Sequence, residues 1–299
     1  MDWRLLALLC SVFLQYSIFA MPSPFFPVQA KNQGIPVYAI GIVLGSLALS
    51  SSIAAPLVGK YLETIGRRLA FVLSLVISGI GIAIWGVLPY LDLATFLIIS
   101  LFGRLLQGIG FTLANVTALS MCASDYPLKV GSVFALMETT AGMGMIAGPM
   151  IGAVIYEIAG FTITFISYAS IFFAAVPLFW NMLGRDRPYN KKEQSYKISV
   201  GTISFKGLIF VQFAMCAIVW FGFVAFDAVL AIYLDSAFGL DSSMIGLIFG
   251  VSLVAYIAGS LATGAILHRF PLYKVISSGA AVIGISSLLL GPCTACGIP

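Results

Sequence analysis

The sequence has 299 residues, 61% hydrophobic and 9% charged; soluble domains carry roughly 45–50% apolar and about 25% charged residues, so a water-soluble globule is excluded. The net charge of +4 is small and unclustered, which excludes a nucleic-acid-binding stripe. Five cysteines (Cys10, Cys122, Cys216, Cys293, Cys296) are an odd number set mostly in apolar runs, and His268 is the single histidine. Neither a disulfide framework nor a metal or cofactor site is expected.

A membrane-spanning helix needs about 20 mostly apolar residues, and reading along the chain gives nine such runs: 4–21, 37–59, 69–90, 94–121, 131–156, 161–183, 207–234, 242–267 and 273–295. The first resembles a signal peptide in its LLALLCSVFL core. No small-x-small cleavage site precedes Met21, so it reads as a retained span. Lys60, Arg67 and Arg68 follow the second span, Lys129 the fourth, Arg185 to Lys206 the sixth, and Arg269 and Lys274 the eighth. The opposite loops hold Asp92, Glu157, Asp235 and Asp241, with Lys31 as their lone base. The positive-inside rule then places the N-terminus in the cytosol.

The only long polar stretch, GRDRPYNKKEQSYKISVGTISFK (184–206), falls after six spans and reads as a cytosolic linker. The expected organisation is all-α and integral to the membrane. It comprises a six-helix bundle over 1–183, the linker, and a partial bundle of three helices over 207–299 ending at GPCTACGIP.

Several motifs stand out within this frame. GKYLETIGRR (Gly59–Arg68) joins spans two and three. Gly59 permits a close helix approach and Gly66 a turn, while Glu63 with a helix N-terminus can grip nearby cations such as Arg67 and Arg68. An ordinary basic loop would account for the arginines but not for the Gly-x3-Glu-x2-Gly spacing. A degenerate second copy, Gly264-Ala-Ile-Leu-His268-Arg269, follows span eight, with His268 where the acid would stand.

Arg104, in FGRLLQGIG of span four, lies about ten residues (~15 Å) from the span's end. A charge at that depth should face protein or water and have a partner. Gly144, Gly148 and Gly152 recur every fourth residue of span five beside Pro149. They spread over about 80° of the helix, one face on which two backbones can touch. Glu138, upstream, lies about 80° from the centre of that face, so it can look into a cavity while the glycines pack.

Asp227 sits about 12 Å inside span seven. Glu138 and Asp227 lack a basic neighbour one turn away, so each is either a carrier of protons and a counter-ion for a cation, or is locked to a base such as Arg104. Gln15 in span one and Asn115 in span four complete the candidate lining; Asn115 is either a polar wall residue or an inter-helix bond. Among the abundant aromatics, Tyr16, Phe25, Phe26, Tyr168, Trp220, Phe221 and Phe226 include candidates for cation–π contact with an amine.

These motifs resemble those of the major facilitator superfamily: the loop signature with Glu63 in place of the usual Asp, the R-x2-Q-G-x-G element at Arg104, and the fifth-helix glycine–proline signature of members that exchange solute for protons. Ala153 stands where a further glycine is usual. YSIFAMPSPFFPVQAKNQG (16–34), FALMETTAGMGMIAGPMIGAVIY (134–156), FDAVLAIYLDSAFGL (226–240) and LLLGP (288–292) are most similar to the vesicular amine transporters, and among them to the member B1, or vesicular polyamine, branch.

That resemblance implies twelve spans, of which ten to twelve are expected to be missing here. It also implies export of an organic cation, a polyamine or monoamine, from the cytosol in exchange for protons, across a vesicle, organelle or plasma membrane. Glu138, Asp227 and Asp235 match acids of the branch. The alternatives are a multidrug or other small-solute facilitator, or a non-transporting membrane protein. No nucleophile–base pair or phosphate loop suggests an enzyme, and oligomeric state is not readable.

Overall fold

The computed structural model describes residues 2–184, 207, 210, 211, 214, 217, 218, 242–266, 269, 270 and 272–290. Every long element among the described residues is an α-helix. Among the described residues, five stretches are long and apolar enough to cross a bilayer: Trp3–Lys31, Tyr38–Ile65, Arg67–Tyr90, Leu93–Asp125 and Pro127–Leu183.

Helix α1 (Trp3–Ala20) starts where the Asp2 side chain accepts from the Arg4 backbone N–H. After Met21 the chain continues as α2 (Pro22–Asn32), whose Pro22 occupies the first helical position, where the missing N–H costs no bond. The first apolar run thus forms a helix that extends past its expected end. α3 (Val37–Ile65) stops at Gly66, whose φ of 85° and ψ of 140° reverse the chain directly into α4 (Arg67–Trp85). A side chain at that φ would be strained.

α5 (Leu93–Asp125) is capped by Asp92, whose carboxylate accepts from the Thr95 backbone N–H at 3.3 Å. Hydrogen bonding to Thr95 holds the Asp92 carboxyl below the ordinary carboxylate range.

Fifty-four residues run as α6 (Val130–Leu183), about 80 Å of helix against a hydrocarbon core of about 30 Å. The element is broken at Gly160, with φ 77° and ψ 179°, into limbs 130–159 and 161–183. These two limbs are the fifth and sixth spans expected from the sequence. α7 (Ser242–Ile266) and α8 (Leu272–Leu290) correspond to the eighth and ninth. The expected seventh span, with Asp227, lies almost wholly outside the described residues.

Two compact units are distinguished. The first gathers residues 1–187 with 256–264, and the second 188–255 with 265–299. In the first unit the most extensive helix pairs are α1 with α6, α4 with α5, α3 with α5, and α4 with α6. Lipid tails are as apolar as leucine, so these pairs are held by close packing and side-chain bonds rather than by hydrophobic burial.

One end of the bundle is filled by rings: Phe26 lies 4.5 Å from Trp85 and 5.8 Å from Phe96, and Trp85 lies 5.7 Å from Phe165. Such pairs add about 0.5–1.5 kcal/mol each beyond their contact area. The opposite end, which carries Arg4, Arg67, Arg68 and Lys129, is tied by polar groups. Arg4 pairs with Asp125 at 3.2 Å, and the Tyr126 hydroxyl donates to Asp2 at 2.5 Å.

Candidate functional site

The first limb of α6 presents two working faces. On one, a Cβ at Gly144 would stand 2.5 Å from the Phe13 carbonyl oxygen, and one at Gly148 would meet the Ser17 carbonyl. A Cβ at Gly152 would come within 3.0 Å of Met21 and Phe25. Gly144 and Gly148 therefore seat α6 backbone-to-backbone on α1, and Gly152 seats it on the side chains of Met21 and Phe25. Beside Pro149, the Tyr168 hydroxyl from the second limb donates to the Gly148 carbonyl at 2.8 Å.

The other face carries Glu138. Its Oε2 accepts from the Tyr256 hydroxyl at 2.6 Å. Tyr256 belongs to the 256–264 stretch, which clusters with the first unit. The stretch runs antiparallel to α6 through small residues. Ser260 Oγ lies 2.9 Å from the Ala135 carbonyl and 3.0 Å from Thr139 Oγ1. A Cβ at Gly264 would come within 2.8 Å of the Ala135 methyl, and one at Gly142 would press on the Tyr256 ring at 3.1 Å.

From α1, Tyr16 lies close enough to interact electrostatically with the Glu138 carboxylate. Glu138 is half-buried, and among the described residues no Lys, Arg or His pairs with it.

Arg104 is placed elsewhere. It is 3% exposed, and its guanidinium donates to its own helix neighbour Gln107 at 2.9 Å and lies 5.1 Å from the centre of the Trp85 ring. Gln107 in turn donates to the Gly81 carbonyl, and the Trp85 indole to the Ser100 carbonyl. These bonds pin the arginine into the α4–α5 seam. Its Nε has no hydrogen-bond partner among the described residues, and no described acid reaches it. An Arg104–Glu138 lock is therefore not formed.

Gln15 and Asn115 are spent on helix contacts. Gln15 is fully buried, accepting from the Ser78 hydroxyl at 3.0 Å and donating to the Ser74 carbonyl at 3.5 Å, so it stitches α1 to α4. Asn115 donates to the Phe111 carbonyl of its own helix. Phe111 packs its ring on Tyr16 at 5.0 Å and on Phe19 at 5.7 Å. Of these rings, Tyr16 is the one near Glu138. An apolar groove of about 810 Å³ between α1 and α6, lined by Cys10, Phe13, Met143, Ala175, Leu178 and Phe179 among others, contains no charged side chain.

Two expectations for the loop motif are corrected. Gly59 is exposed with nothing near it among the described residues, so it makes no close helix approach there. Glu63 is exposed and, among the described residues, bonds to neither arginine. Arg67 instead donates to Ser124 at 2.5 Å, at the end of α5. Arg68 donates to the Trp180 carbonyl at 2.6 and 3.1 Å with its guanidinium 3.7 Å above that ring. Arg68 satisfies a carbonyl in the last turn of α6, and Arg67 lies at the C-terminal end of α5, where the macrodipole is negative. Gly66 does make the expected turn.

Sequence reasoning passed over Tyr256, Ser260 and Asp125. A signal existed for the first two: Ser260-x3-Gly264 is a small-x3-small pair one turn beyond Tyr256. Asp227 and Asp235 lie outside the described residues.

A bundle of apolar spans, with a buried cation in one seam and a half-buried acid in another, defines a polytopic integral membrane protein. The chain belongs to the major facilitator superfamily, whose family model matches residues 8–297. It is similar to the MFS-type transporter SLC18B1 of Rattus norvegicus, 29% identical over 93% of this chain and 60% of that protein. It is also similar to Multidrug resistance protein 1 of Bacillus subtilis (strain 168), 25% identical over 88% of this chain and 66% of that protein. The Synaptic vesicular amine transporter of Homo sapiens is 23% identical over 84% of this chain and 48% of its own length. The chain thus spans about 60% of the length of the SLC18B1 relative.

Proposed function

We propose that the chain belongs to a proton-coupled antiporter that moves an organic cation, a polyamine or monoamine, from the cytosol to a vesicle lumen or the cell exterior by alternating access. The observation that carries this reading is the Glu138 carboxylate. It is half-buried in a span, bonded only by a neutral Tyr256 hydroxyl among the described residues, and lies near Tyr16 of α1.

A carboxylate in that setting needs a positive partner, and either an ammonium ion or a proton supplies one. Exchange follows because the two compete for one charge. The cation is bound from the neutral side, protonation on the acidic side discharges it, and loss of the proton restores the site. Asp227 is proposed as a second acid of the same type. Arg104, without an acid beside it among the described residues, is proposed to keep stray cations out of the α4–α5 seam. The glycine face of α6 gives that helix a smooth track along α1, and Gly66 gives α3 and α4 a fixed corner. The loop charges favour a cytosolic N-terminus, with 1–183 as one helical half and 184–206 as the linker to the next.

The experiment is pH-gradient-driven uptake of labelled spermidine and serotonin into proteoliposomes, with Glu138→Gln and Asp227→Asn beside the parent. Uptake that both variants retain in full removes these residues from the mechanism. A multidrug facilitator is the second reading, favoured by the similarity to the Bacillus subtilis protein. Uptake of tetraphenylphosphonium without spermidine would select it.

A further inference from the structure

The two oxygens of the Glu138 carboxylate are treated unequally. Oε2 accepts the Tyr256 hydroxyl at 2.6 Å, while Oε1 accepts no hydrogen bond among the described residues. The terminal torsion of a glutamate is broad and two-fold, so one short bond from a fixed donor sets the plane of the carboxylate.

Tyr256 is such a donor. Its ring lies on Gly142, where a Cβ would come within 3.1 Å of the ring carbons. One turn further, Ser260 is anchored on the Ala135 carbonyl at 2.9 Å and faces Thr139 at 3.0 Å. The polar groups around the carboxylate are thus Tyr256 from the 256–264 stretch and Tyr16 from α1; the one described base on these three elements, Arg4 of α1, stands twelve residues from Tyr16 and pairs with Asp125 at 3.2 Å.

We propose that Tyr256 is the positioning residue of the Glu138 site: its hydroxyl holds Oε2 and turns Oε1 toward the solute, so the site favours ammonium ions that carry N–H donors over quaternary ones. This rests on the reading of Glu138 as the counter-ion of an organic cation. A quaternary cation feels only the charge and is indifferent to how the carboxylate is turned. An N–H donor must meet a lone pair, and hydrogen bonds weaken steeply as the angle closes.

The test compares binding of tritiated spermidine and of tetraethylammonium to the 299-residue chain in lipid nanodiscs. The parent is set beside Tyr256→Phe, which keeps the ring on Gly142, and Ser260→Ala, which loosens the same seam without touching Glu138. In parallel, infrared spectra locate the tyrosine C–O band that Tyr256→Phe removes. The expected result is that Tyr256→Phe weakens spermidine binding about tenfold, the effect of one hydrogen bond to a charged group, and tetraethylammonium binding less than about twofold. Ser260→Ala should change neither, and Glu138→Gln should shift the tyrosine band.

Equal loss of both cations in Tyr256→Phe, or a spermidine loss as large in Ser260→Ala, overturns the positioning role while leaving Glu138 as a cation site. A tyrosine band that Glu138→Gln leaves in place overturns it as well. If the parent binds neither cation but the band shifts, the bond is upheld and the proposed solute class is overturned.

Discussion

Gly148 and Ser17 meet backbone to backbone: a Cβ on the glycine would collide with the Ser17 carbonyl oxygen. Gly144 repeats the contact one turn earlier against the Phe13 carbonyl, and one turn later Gly152 packs on the side chains of Met21 and Phe25. This contact fixes the rotation of α6 about its axis and so decides where Glu138 points. The stretch GMGMIAGPMIGA is consequently a packing surface beside the proposed site.

Gly148→Ala should therefore destabilise the bundle by about 1–3 kcal/mol, the usual cost of overpacking a closed contact. Gly59→Ala, at an exposed helical position with nothing near it among the described residues, should be neutral or gain up to about 1 kcal/mol from helix propensity. Thermal unfolding in detergent of both variants and the parent decides this. Equal losses at the two positions would mean that the glycine face is not the contact that holds α6.

Arg104 gives a different kind of expectation. It is buried with no described acid, so its charge is a burden on folding that function must justify. Arg104→Met should melt at or above the temperature of the parent while uptake falls by at least about tenfold, or roughly 1.4 kcal/mol at the barrier. A variant that unfolds early yet transports normally would show that the arginine is a structural pin.

The cap of α5 gives a pH-dependent signal. Hydrogen bonding to Thr95 holds the Asp92 carboxyl below its usual range, so the bond favours the folded state where the carboxylate is ionised. That contribution is present above about pH 4, the unfolded carboxyl range, and is lost as pH falls through the lower folded value. Asp92→Ala should thus lower the melting temperature at pH 7, and the gap to the parent should narrow below about pH 4. A gap that stays constant with pH would mean that the cap works without its charge.

Much of the fold was legible because its signals are local. Apolar run length located the helices of 1–183, and the gap before Phe161 marked the break now seen at Gly160. The period of Gly144, Gly148 and Gly152 predicted one packing face, and the structure puts α1 against it. Gly66 was legible as a turn because glycine alone adopts a positive φ without strain.

The pairings were less legible. Gln15 looked like a cavity residue, but Ser74 and Ser78 on α4 offer an acceptor and a donor that satisfy it inside the bundle. Arg67 and Arg68 stand only four and five residues from Glu63, yet their long side chains reach Ser124 and the Trp180 carbonyl instead. Tyr256 stands 118 residues from Glu138, and no local period encodes a bond across that distance.

The most direct test of the account is pH-gradient-driven spermidine uptake by the parent and Glu138→Gln in matched proteoliposomes, with insertion of the two proteins quantified. Glutamine keeps the shape and the acceptor for Tyr256 while removing the charge that the cation and the proton are proposed to share. The account predicts uptake in the parent that collapses when the gradient is dissipated, and no uptake above empty liposomes in Glu138→Gln. Gradient-driven uptake that persists in Glu138→Gln would contradict it.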